Sequence, residues 1–201
     1  MSTQRTTARA AKRAAPMKPE ERREALIVAT IEAIREHRQR PSTKQIAQAA
    51  GVAEGTIFRV FAGKEELFDA VIDRVLDPEP FLRELAAIDR SAGLETRLTA
   101  YVGLLQGRFQ DIFELMSALG LVGPPERHRD RPERDQSVAE EIRDVFAGDE
   151  PLLRVPLDQL LLQVRLLTFA GTHHHISDGA LLTPEQIADT ILHGVLKRES
   201  D

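Results

Sequence analysis

Between Ile46 and Leu67 the chain reads IAQAAGVAEGTIFRVFAGKEEL, helix-forming residues interrupted by Gly51, Gly55 and Gly63. A glycine inside a helix costs about 1 kcal/mol relative to alanine, so this stretch folds as short jointed pieces. Ser42 and Gln45 stand at the Ser-x-x-Gln spacing of a capping box. Ile46, Ala47, Ala49 and Ala50 then carry a short helix to Gly51, where a left-handed glycine ends it. A third piece covers Ala53–Phe61, Ala62-Gly63 turns, and Lys64-Glu65-Glu66 opens a fourth helix running to about Leu76. Asp77-Pro78-Glu79-Pro80 stops that one. Upstream, Pro19 suits a first helical position, and Glu20 and Glu21 complement the helix dipole. Ile27, Ile31 and Ile34 form an apolar stripe that ends at His37–Pro41.

A supporting helix followed by two short helices around a tight glycine turn is a helix-turn-helix. Its second short helix is the one that enters a DNA major groove. Glu54, Gly55 and Thr56, at the start of that helix, stand nearest to base edges, while Ile57, Val60 and Phe61 face a small core. Gly55 would let the backbone approach DNA closely.

Charge is distributed to match. The net charge is −5, yet residues 1–64 hold 13 Lys and Arg against 6 Asp and Glu, and residues 65–201 hold 14 against 26. A basic end on an acidic body suits a polyanion-binding unit carried by a second domain. Residues 1–18, with Arg5, Arg9, Lys12, Arg13 and Lys18 and almost no large apolar residue, read as a disordered basic arm. Such arms enter a neighbouring minor groove. There is no cysteine, which removes disulfides and thiolate chemistry and fits a cytoplasmic setting. No apolar run approaches the roughly 18 residues of a membrane span, and the N-terminus lacks the apolar segment of a secretory signal.

The remainder is helical by pattern. Phe81–Asp89 is a short helix, Leu94 to about Leu121 a long one, Gly123–Asp135 a polar loop, Val138–Phe146 a helix and Gly148–Pro156 a loop. Leu157–Thr172 is apolar on most faces, and Thr183-Pro184-Glu185-Gln186 caps a last helix through Leu196 and Lys197. The fold class is all-α: a helix-turn-helix domain over 19–63 and a helical ligand-binding and dimerisation domain over 64–201.

Residues 22–76, about a quarter of the chain, resemble the DNA-binding domain of the TetR family of transcriptional regulators. The resemblance rests on Ser42, Ile46-Ala47, Ala50-Gly51-Val52, Gly55-Thr56-Ile57-Phe58, Phe61 and Lys64-Glu65-Glu66-Leu67. It implies a homodimeric, ligand-responsive repressor bound to a near-palindromic double-stranded operator. It also implies that Ser42 and Thr43 meet phosphates, that Lys44, Glu54, Gly55, Thr56 and Arg59 face the groove, and that Lys64 holds a phosphate. Arg59 could pair with guanine and Glu54 with cytosine. Two positions depart from the family pattern. Phe58 replaces a tyrosine whose hydroxyl contacts the DNA backbone, and His37–Arg40 occupies a place where the family commonly has a glycine.

The resemblance further implies dimerisation through the last two helices and an unknown small-molecule effector between Leu94–Leu121 and Leu157–Thr172. Candidate pocket residues are Tyr101, Leu105, Phe109, Phe113, Met116, Gln163 and Phe169. One tyrosine and no tryptophan disfavour a cage for quaternary cations and favour a mostly apolar or mixed ligand. His173-His174-His175 cannot all ligate one ion from a helix, where neighbours point about 100° apart. No metal, cofactor or enzymatic motif is expected. The rival readings are a ligand-independent DNA-binding dimer and a helical protein-interaction module with a basic end.

Overall fold

The computed structural model describes residues 18–128 and 132–195. The arm's Arg5, Arg9, Lys12 and Arg13, part of the polar loop, and Leu196 and Lys197 lie outside the described residues. Nine α-helices follow one another among the described residues: α1 (Pro19–His37), α2 (Thr43–Ala49), α3 (Ile57–Val60), α4 (Lys64–Val75), α5 (Glu79–Ala86), α6 (Leu94–Leu119), α7 (Pro132–Phe146), α8 (Leu157–Thr172) and α9 (Pro184–Val195). The class is all-α, with no strand among the described residues.

Several boundaries differ from the sequence expectation. The third piece is a 3-10 turn, Glu54–Thr56, followed by a single α-turn, because Gly55 and its β-branched neighbours give it little helix propensity. α5 starts two residues early, with Glu79-Pro80 serving as its first turn, and ends at Ala86. α7 starts at Pro132, so residues 132–135, expected in a loop, are helical. Pro132 suits a first helical position. Residues 148–152, also expected in a loop, belong to a 3-10 segment, Ala147–Leu152.

Two hydrophobic clusters organise the chain. The first gathers Leu26 and Ile34 of α1, Ile46 of α2, Ile57, Phe61, and Leu67 and Val71 of α4, closed by Leu115 and Met116 near the end of α6. The second gathers Phe81, Leu85, Leu98, Tyr101, Phe146, Leu160, Val164 and Ile187. α6 runs through both, so its 26 residues connect the two. Inside the second cluster Arg97 is buried, donating to both carboxylate oxygens of Asp149 at 2.6 and 2.8 Å and to the Val145 carbonyl at 2.8 Å.

α9 starts as the sequence predicts. The Thr183 hydroxyl accepts from the Gln186 amide, and the Gln186 side chain accepts from the Thr183 amide.

Candidate nucleic-acid interface

The interface is assembled by backbone devices. The Ser42 hydroxyl accepts from the Gln45 amide at 3.2 Å, and the Gln45 side-chain oxygen accepts from the Ser42 amide at 2.8 Å. Both halves of the capping box are therefore made. At the other end of α2, Gly51 sits at φ +64°. Its amide donates to the Gln48 carbonyl, and the Val52 amide donates to the Ala47 carbonyl. This pair is a Schellman closure, and its left-handed residue is cheapest as glycine.

The other two glycines are different. A Cβ at Gly55 or Gly63 would meet nothing within 4 Å, and neither has a positive φ. Gly63 is fully extended at φ −172°. The turn expected at Ala62-Gly63 therefore does not draw on glycine's freedom, since any residue adopts that conformation. The start of α4 is fixed instead by Glu66, whose carboxylate accepts from the Ala62 amide at 2.6 Å. At Gly55 no contact among the described residues demands glycine.

The candidate DNA residues fall along one stretch. Ser42, Lys44, Glu54, Gly55, Phe58 and Arg59 are exposed, and Thr43, Thr56 and Lys64 are half-buried. The Thr43 hydroxyl donates to the Glu54 carboxylate, which ties the start of α2 to the 3-10 turn Glu54–Thr56. Phe58 leaves 54% of its surface in water, an unusual place for a phenylalanine. Lys64 lies 5.4 Å from the centre of the Phe68 ring.

Arg40 is a residue the sequence reading passed over. Its guanidinium lies 4.5 Å from the Phe68 ring centre and bonds both Glu65 oxygens at 2.5 and 2.6 Å. The basic run at His37–Arg40 was its only signal. In the same run Arg38 ends α1 in the left-handed region, at φ 50°. That conformation costs a non-glycine residue about 1–2 kcal/mol.

The candidate effector residues do not share one cavity. Tyr101, Leu105 and Phe109 line a cavity of about 500 Å³ whose other walls include Pro78, Ile142 and Arg165. Burial pushes the Tyr101 phenol up to about 12. Arg108, in the same wall, donates to the carbonyls of Leu76 and Asp77 where α4 ends. Phe113 lines a second cleft of about 500 Å³, beside the end of α1. Phe169 is 39% exposed and packs edge-on against Phe109 and Phe113, with ring centres 5.4 and 5.0 Å apart. Met116 belongs to the first hydrophobic cluster, and Gln163 lines neither cavity. Met116 is turned away because α6 has by then passed into the N-terminal core. Among the described residues no group of three or more His, Asp or Glu is placed to hold a metal. Nor is any helix among them long and apolar enough to cross a membrane.

Comparison with known proteins points to the same segment. Residues 27–71 match the family described as bacterial regulatory proteins, tetR family. Over 37 residues the chain is 43% identical to the nucleoid occlusion factor SlmA of Haemophilus ducreyi, a match spanning 18% of each chain. Among solved structures, a tetR-family transcriptional regulator from Streptomyces coelicolor superposes with a TM-score of 0.60 at 22% identity, covering 89% of this chain and 80% of that one. The superantigen PfiT superposes at 0.56 and 21% identity, covering 91% and 100%. Likeness at that level shows the fold alone, and one fold serves unrelated activities. The capping box, the Schellman turn and the family match all fall on one segment, and on these the assignment rests: residues 27–71 carry the sequence pattern of the tetR family of bacterial regulatory proteins.

Proposed function

We propose that the protein is a homodimeric, ligand-responsive transcriptional repressor that binds a near-palindromic operator in the cytoplasm. The observation that carries this reading is the exposed reader, Glu54–Val60, held at its N-terminal end by the Thr43–Glu54 bond beside the capped start of α2. Ser42 and Lys64 approach phosphates and fix register; Gly55, Thr56 and Arg59 approach base edges. Phe58 offers a ring in place of a hydroxyl, suited to a thymine methyl group.

Dimerisation is assigned to α8 and α9. On α8, Leu162, Leu166 and Phe169 are 47%, 55% and 39% exposed. They stand at i, i+4 and i+7, a single apolar stripe. Two such stripes packed about a two-fold axis bury one another and set two readers about one DNA turn apart. The effector occupies the cavity beside Tyr101, and the Arg108 bonds to the end of α4 transmit its presence. Switching requires that the effector prefer the dimer whose readers are misplaced.

The test is a pair of variants. Thr56→Ala and Arg59→Ala should each lose about 1–3 kcal/mol of preference for the specific site over competitor DNA and leave the dimer intact in sedimentation. Dissociation of these variants would remove them from an exposed reader.

A further inference from the structure

The second cleft is a site in its own right. It lies between the end of α1, the last turns of α6 and the segment following α8, with a volume of about 500 Å³. Clefts of this size hold small organic ligands.

Its chemistry is uneven. Arg38 lines it with no ion-pair partner among the described residues. It also holds a left-handed conformation that glycine would adopt without strain. Thr172 and His173 line the cleft from the end of α8. Thr172 is 4% exposed and its Oγ1 has no hydrogen-bond partner; Nδ1 of His173 is buried and also unpartnered. Buried polar atoms are almost always satisfied, and each orphan is costly. Two such orphans therefore stand on adjacent residues that line the cleft. Phe113 supplies an apolar wall, its ring centre 4.6 Å from that of His173. Glu114 is the one carboxylate in the lining, and Arg35 beside it is held by Asp111 at 2.6 Å.

We infer that this cleft binds a small organic monocarboxylate with an aromatic body. Its carboxylate would be taken by Arg38 and the Thr172 hydroxyl, and its ring would lie against Phe113 and His173. Glu114 sets the limit at a single negative charge. Because the cleft joins α1 of the DNA-binding unit to the end of α8, an acid bound there reports to the reader by a route separate from the cavity at Tyr101.

Calorimetric titration of the full chain with 2-naphthylacetate and with 2-naphthylacetamide tests this. One acid should bind per chain, and the neutral amide should bind at least about tenfold more weakly, as expected for losing a hydrogen bond to a charged group. Arg38→Gln, which keeps the backbone and removes the charge, should weaken the acid by about tenfold or more, and Thr172→Val by about five- to tenfold. Thr168→Val removes a buried, unpartnered hydroxyl that does not line the cleft, and should leave acid binding unchanged. Equal binding of acid and amide, parent-like binding in both Arg38→Gln and Thr172→Val, or no binding at millimolar acid would each overturn the site. Specific DNA binding is measured on the same samples. If it persists while the acid fails to bind, the acid site alone is lost and the DNA-binding reading stands.

Discussion

Residues 42–66 keep their shape through caps and turns: the Ser42–Gln45 box, the Gly51 closure, the Thr43–Glu54 bond and the Glu66 cap. The body made by α5 to α9 keeps its shape through packed side chains around one buried ion pair, Arg97–Asp149. The first region is short and specified residue by residue, since each device needs a particular atom at a particular spacing. The second is specified by volume and polarity, which many sequences satisfy. A segment specified atom by atom is therefore carried on a body specified only by volume and polarity.

The largest expected effect breaks the body. Arg97→Leu should cost about 3–5 kcal/mol in urea unfolding, because it strands the buried Asp149 carboxylate in an apolar interior. Replacing both partners, Arg97→Met with Asp149→Leu, should recover most of that loss, since a packed apolar pair avoids the desolvation penalty. If the double variant were as unstable as the single one, the pair would be doing more than neutralising itself.

The next effect falls on the reader's own core. Ile57 is 0% exposed, and Ile57→Ala should cost about 2–5 kcal/mol. Specific DNA binding should be lost before the dimer, as followed by competition binding and size-exclusion chromatography at increasing urea. Simultaneous loss of both would mean the two regions unfold as one.

The smallest effect concerns Tyr101, the only tyrosine in a chain without tryptophan. Burial raises its phenol from 10.0 to about 12. The folded state therefore prefers the neutral phenol, so this contribution to stability is complete below about pH 10 and is lost as pH rises towards about 12. Absorbance at the tyrosinate band should titrate near 12 in the folded chain and near 10 in urea. A folded-state titration near 10 would place the phenol in water.

Much of the N-terminal fold was legible because glycine, serine and proline act locally. Pro19, Ser42, Gly51 and Thr183 each mark a boundary that the structure keeps. What sequence missed was long-range or easily mistaken for loop. The polar start of α7 carries no apolar stripe to announce a helix. The split of Tyr101, Phe113 and Met116 among two cavities and a core depends on where α6 crosses from one cluster to the other. Arg40 lies between α1 and α2 and packs on Phe68 of α4, and no local pattern pairs them.

The most direct measurement is selection of bound sequences from a random pool of duplex DNA by the full chain, with the salt dependence of the winning site. The account predicts enrichment of an inverted repeat with half-sites about one helical turn apart or slightly more, and a steep loss of affinity with salt from several phosphate contacts. Failure to enrich any sequence at low salt, or enrichment of one isolated half-site, would contradict a dimer that reads DNA through Glu54–Val60.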